Sequence, residues 1–220
     1  MESLVIYGAG KLGRQVYYHV KNYHSHSTRI IGFLDDTIQK GERIIDDAFC
    51  LGGFQSGYFL EKFPPDQVKI VFAIGYSNME GRYLAYLKTV KQGYGLFQVI
   101  HPEAYIESNT RLGQGVIIMA RAVIDQGVTL GAVCYVDIGV VVGEDCSIGD
   151  NNFLAASCVL GGNVRLGKNN FLGLNSTVVN DVELGDNLTV NAQTLIHKNY
   201  GSDLQVIEIH KVRASSPLKI

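Results

Sequence analysis

Two parts of the 220-residue sequence carry residue types able to do chemistry. The first is Val141-Val142-Gly143-Glu144-Asp145-Cys146-Ser147-Ile148-Gly149-Asp150, where two carboxylates stand side by side. A carboxylate can take a proton from an attacking amine or hydroxyl. It does so well only if burial or a like charge lifts its pKa from about 4.3. The second is Gly8-x-Gly10-x-x-Gly13, whose backbone N–H groups, at the start of a helix, suit a phosphate. Asp35 follows Gly13 by 22 residues, close to the spacing at which a carboxylate takes a ribose hydroxyl. Histidine, the usual base, is confined to positions 19, 24, 26, 101, 197 and 210, so the span 102–196 has none.

The elements that must hold these residues follow two different periods. From Ile106, every sixth residue through Ile196 is Ile, Leu or Val, sixteen positions in all. Glycine follows eight of them, and a small or medium residue lies four positions on. A strict period of six fits no helix or ordinary sheet; it is the mark of a solenoid. Three rungs per coil make a left-handed parallel β-helix, with the aliphatic residues inward and glycine easing the turn. Cys134, Cys146 and Cys158 share one inward position, which reads as core filling rather than redox or metal chemistry.

Residues 1–98 alternate strand and helix instead. SLVIYGAG, RIIGFLDD and VKIVFAIGY read as strands; RQVYYHVKNYH and NMEGRYLAYLKTVKQG read as helices. That order predicts a small parallel βαβ sheet with a ligand crevice at the strand C-termini. The expected organisation is an α/β unit over 1–98, the β-helix over 99–198 and a tail over 199–220.

Composition bounds the rest. With 46% hydrophobic and 18% charged residues and a formal net charge of -2, nothing suggests a nucleic-acid surface or a polybasic membrane patch. The N-terminus lacks a signal-peptide pattern, no apolar run approaches the roughly 20 residues of a membrane span, and the cysteines have no metal spacing. A cytoplasmic protein with no bound metal is expected.

The combination of Gly8-Ala9-Gly10, Leu34-Asp35-Asp36, Ala73-Ile74-Gly75 and Phe171-Leu172-Gly173-Leu174-Asn175 with a hexapeptide β-helix resembles one family. This is the sugar O-/N-acyltransferases of the sialic acid O-acetyltransferase and UDP-4-amino-sugar N-acetyltransferase type. The resemblance implies a homotrimer that moves an acyl group from acetyl-CoA, or another acyl-CoA, to a nucleotide-linked sugar. It assigns Gly8, Gly10, Asp35, Asp36, Gly75, Asn78 and Arg82 to the nucleotide sugar, and Gly161, Gly162, Gly173 and Leu174 to the CoA groove. It assigns Glu144, with Asp145 beside it, to the catalytic corner, where the family carries a histidine. A second family histidine corresponds to Phe153.

Alternative readings stay open. Glu144 and Asp145 fit an ordinary solvent-facing corner, Asp35-Asp36 a strand-end cap and Arg82 a solvated helix charge. The chain could bind its ligands without catalysing transfer. The N-terminal half taken alone also fits a nicotinamide-binding oxidoreductase. His197 lies almost three coils from Glu144, roughly 14 Å along the stack, and His101 more than two coils the other way. Neither reaches the Glu144 corner of its own chain.

Overall fold

The computed structural model describes residues 1–206. The chain opens with β1 (Glu2–Tyr7), α1 (Lys11–Tyr23) and β2 (Thr28–Leu34). A short antiparallel hairpin, β3 (Arg43–Ile45) and β4 (Ala48–Phe49), follows, then α2 (Gly57–Lys62), β5 (Lys69–Phe72) and α3 (Met79–Lys91). The main sheet has the order β2-β1-β5 and is parallel throughout. The hairpin and α2 were not legible in the sequence, because their two- to six-residue lengths are too short for a period to show. In α1 the buried residues Gly13, Val16, Tyr17 and Val20 recur at the spacing of one helix face, and that face packs on the sheet.

The second half is a left-handed parallel β-helix of two-residue strands in three sheets of seven, six and five strands. It starts one rung earlier than the aliphatic count, at Val99–Ile100, and runs to Gln205–Val206. The last coil is two residues short. Thr189 pairs with Gln205, sixteen residues on, where Phe171 pairs with Thr189 at eighteen. The start of the expected tail is therefore a rung of the helix; residues 207–220 lie outside the described part.

Every aliphatic from Ile118 to Ile196 in the six-residue count is buried. Cys134, Cys146 and Cys158 point inward, their thiols donating to the carbonyls of Gly149, Gly161 and Gly173 at 3.1, 3.1 and 3.0 Å. Glycine after the aliphatic has a different job from the one expected. The left-handed φ of each corner falls two positions later, on residues such as Asp145 (55°), Asn151 (57°) and Asn163 (61°). The glycine is there because neighbouring coils touch. A Cβ on Gly143 would lie 2.8 Å from the backbone nitrogen of Gly162.

The three faces of the prism differ outward. One face, through Ile117, Tyr135 and Phe153, is covered by the α/β unit, and these side chains are buried. A second presents Arg111, Thr129, Ser147, Arg165 and Glu183. The third presents Tyr105, Val123, Val141, Val159, Thr177 and Leu195. On that third face Tyr105, Val141, Val159 and Leu195 are 36–57% exposed. These are called below the covered, polar and apolar faces.

Candidate functional site

A cavity of about 860 Å³ lies between the α/β unit and the covered face. Its floor is the glycine turn. Gly8 holds φ 107° with its Cα against the Ala73 carbonyl, so a Cβ there would clash with backbone. Helix α1 then begins at Gly10 with no side-chain cap and no acid in its first turn. Gly10, Lys11 and Leu12 line the cavity. The unpaired N–H groups of a helix start, its dipole and the Lys11 charge together favour an anion there.

Asp35 and Asp36 also line this end, and both carboxylates are already engaged by the protein. Asp35 accepts from the Ala9 N–H at 3.0 Å and from the Thr37 N–H and hydroxyl at 3.0 and 2.7 Å. Burial pushes its pKa up, but these hydrogen bonds outweigh it and the net shift is downward. Asp36 accepts from the Tyr7 hydroxyl at 2.8 Å and the Phe54 N–H at 2.9 Å. The pair thus ties the glycine turn and the hairpin region to the end of β2, which is the strand-end role.

The opposite wall is aromatic. Tyr135, Phe153 and Phe171 occupy one position on successive coils, eighteen residues apart. Tyr135 stacks on Phe153 at 4.5 Å, and Phe153 meets Phe171 at 5.8 Å. Tyr76, which follows Gly75 after β5, stacks on Phe171 at 4.5 Å and meets Phe153 at 4.8 Å. Beyond the wall, Asp137, Ala155, Gly173, Leu174 and Asn191 line the cavity where the covered face turns toward the apolar face. Burial raises the pKa of Asp137. Asp137, Tyr135 and Tyr76 were not singled out from the sequence, and Phe153 and Phe171 were not read there as parts of one wall. The signal was present: aromatics at the outward position of three consecutive coils mark a face that something must cover.

The cavity therefore gathers Gly8, Gly10, Asp35, Asp36, Gly75, Gly173 and Leu174 from the residues expected at the site. Others lie elsewhere. Asn78 caps α3 by accepting from the Gly81 N–H at 2.8 Å. Arg82, expected at the nucleotide or in solvent, is 1% exposed inside the domain boundary. It donates to the Ile74 carbonyl at 2.9 Å, to the Val133 carbonyl at 2.8 Å and to Asn151 Oδ1. Its guanidinium is spent on protein acceptors and does not line the cavity. Burial pulls its pKa down to about 10, which leaves it charged at neutral pH.

Glu144 and Asp145 are exposed at a different corner, where the apolar face turns toward the polar face. The Glu144 carboxylate rests over Gly162 on the next coil, in space that a side chain at 162 would fill. Gly161 is on the same corner. Within one chain this corner and the cavity are separated by the whole width of the apolar face. His197 is exposed, whereas His101 is buried against Tyr23 and His19, with ring centroids at 4.4 and 5.1 Å. No described helix is long and apolar enough to cross a membrane.

The fold and its repeat are similar to those of known proteins. Residues 127–162 match the family described as bacterial transferase hexapeptide (six repeats). No curated protein sequence matches the chain. Among solved structures, the acetyltransferase domain of PglB from Neisseria gonorrhoeae, in complex with acetyl coenzyme A, is 25% identical with a TM-score of 0.82. The match covers 93% of this chain and 95% of that one. A mutant of perosamine N-acetyltransferase from Caulobacter crescentus, in complex with CoA and GDP-perosamine, is 23% identical with a TM-score of 0.84, covering 98% of both chains. WeeI from Acinetobacter baumannii is 18% identical with a TM-score of 0.78, covering 94% and 97%. The fold and repeat define a hexapeptide-repeat protein. Through both domains its fold is similar to that of the solved sugar acetyltransferases.

Proposed function

We propose that the protein transfers an acyl group from acyl-CoA to a nucleotide-linked sugar, as a homotrimer. The observation that carries this reading is the cavity, which runs from an uncapped helix N-terminus to the corner of a β-helix. A diphosphate suits the first end, and a sugar ring suits the aromatic wall. The solved PglB domain holds acetyl coenzyme A, and the perosamine enzyme holds CoA with a nucleotide sugar.

The apolar face supports the trimer. Among the described residues this outward face is apolar and not covered by the α/β unit, and its exposed Tyr105, Val141 and Val159 side chains favour self-association. Three copies packed by this face bring the Glu144 corner of one beside the Asp137–Leu174 corner of the next. Acyl-CoA then lies in the groove between two copies, flanked by Gly161 and Gly162 on one side and by Gly173 and Leu174 on the other. Glu144 and Asp145 border the transfer point from the neighbouring copy, and backbone N–H groups there serve the developing oxyanion. Asp35 and Asp36, near the phosphate end, have lone pairs left for a ribose.

The test is a thiol-release assay with acetyl-CoA and UDP-, dTDP- and GDP-linked amino sugars, run beside Glu144→Ala. Thiol release dependent on the sugar supports the reading. A rate unchanged in Glu144→Ala removes that residue from the chemistry. No release, with nucleotide-sugar binding intact by calorimetry, leaves a binding module instead. Hydride transfer to NAD would replace the reading altogether.

A further inference from the structure

The two walls of the cavity place their charged groups differently. On the α/β side lie the helix N-terminus and Lys11, with Asp35 and Asp36 engaged by Ala9, Thr37, Tyr7 and Phe54. Among the described residues lining the β-helix side, Asp137 is the single ionic group, set among aromatic, small and neutral polar side chains. Among the described residues no lysine or arginine pairs with it. Hydrogen bonds do not cancel the Asp35 and Asp36 charges. The part of the α/β wall that favours an anion is therefore the helix N-terminus with Lys11, and the part of the other wall that favours a cation is Asp137.

We infer that Asp137 holds the ammonium group of the acceptor sugar and takes its proton, so that the cavity selects an amine over a hydroxyl. The inference rests on the acyltransferase reading and names the acceptor for it. Asp137 is held in place: the Ile138 N–H donates to Oδ1 at 2.8 Å, the Ala156 N–H supports the carboxylate, and the Tyr135 hydroxyl approaches at 3.5 Å. Equivalent positions on the next three coils are Ala155, Gly173 and Asn191, so the carboxylate is not a demand of the repeat.

The step balances. The ammonium, R-NH3+, gives one proton to the Asp137 carboxylate, which later releases it to water. The neutral amine attacks the thioester carbonyl, the C–N bond forms and the C–S bond breaks. A second amine proton passes to the departing sulfur, giving the amide and the CoA thiol. A carboxylate inside a cavity is a better proton acceptor than an exposed one, and burial raises the Asp137 pKa. The titratable groups around it are Tyr135 on its own strand, Cys158 on the next coil, and Tyr7, Tyr76, Lys11, Asp35 and Asp36 across the cavity.

The test compares the intact protein with Asp137→Asn and Asp137→Glu. The probes are UDP-, dTDP- and GDP-linked dideoxyamino sugars, each beside its hydroxyl counterpart. Calorimetry on the wild type is expected to favour the amino form by tenfold or more, and Asp137→Asn to erase that preference with an unchanged melting temperature. Thiol release should fall about 10²-fold in Asp137→Asn and recover in part in Asp137→Glu. The acid limb of kcat/KM against pH should disappear in Asp137→Asn. Equal binding of amino and hydroxyl forms by the wild type, or an Asp137→Asn enzyme of wild-type rate, overturns the inference alone. Failure of every nucleotide sugar to bind overturns the acyltransferase reading and the inference with it. If Asp137→Asn does not fold, the wild-type binding preference and the Asp137→Glu pH profile still decide.

Discussion

The Arg82 guanidinium donates from Nη2 to the Val133 carbonyl at 2.8 Å, and Val133 holds a left-handed φ of 49°. The two residues are 51 apart in sequence and belong to α3 and the β-helix. A β-branched residue in that region is costly, and it persists only where its surroundings over-determine it. The buried arginine does so here. It also holds the Ile74 carbonyl, at the edge of the cavity wall that carries Tyr76.

Replacing Arg82 by Met keeps the apolar stem but leaves the Ile74 and Val133 carbonyls and Asn151 Oδ1 without a donor. Each buried acceptor left unpaired costs roughly 1–3 kcal/mol. Arg82→Met is therefore expected to lose at least about 3 kcal/mol, read as a lower midpoint in urea, and to bind nucleotide sugar more weakly as the Tyr76 wall loosens.

Tyr76 is 52% exposed and stacks on Phe171, so it contributes more to the cavity than to the core. Tyr76→Ala should leave the melting temperature within a few degrees of wild type. It should weaken nucleotide-sugar binding by roughly 1 kcal/mol, the scale of one aromatic contact. Calorimetry and thermal melting on the same sample separate the two effects.

A lysine at the centre of the apolar face tests the trimer. Val159 faces outward, and its neighbours up and down the sheet are Val141 and Thr177. Val159→Lys should fold normally by circular dichroism and sediment as a monomer, because three lysines at one axis repel. A variant that sediments like wild type would place the self-association face elsewhere.

The four cysteines are free and buried. Burial pushes the thiols of Cys134 and Cys146 up to about 12 and about 11. A thiol-specific reagent at mildly alkaline pH is expected to label none of them in the native protein and all four in denaturant.

Asp35 gives the pH dependence its sign. Its folded pKa is lowered, so the stability it contributes is fully present above its unfolded pKa of about 3.9. That contribution is lost as pH falls through the folded value. The stability difference between wild type and Asp35→Asn should be constant near neutrality and shrink below about pH 4, measured by urea unfolding.

The sequence by itself determined the β-helix, since a six-residue count from Ile106 to Ile196 admits no other regular structure. It determined the inward cysteines too, because their register follows from the same count. The βαβ unit was legible from alternating periods and from Gly8, whose φ no other residue adopts comfortably. Only the tertiary structure decided which prism face the α/β unit covers, and that choice makes the cavity. It buried Arg82, turned Asp35 and Asp36 onto protein donors, joined Tyr76 to Phe153 and Phe171, and left Asp137 facing the cavity while Glu144 stayed a corner away. The physical reason is that a repeat fixes which residues point in or out, coil by coil. What stands against an outward residue depends on how two domains dock, through contacts such as those of Arg82 with Val133 and Asn151, 51 and 69 positions on.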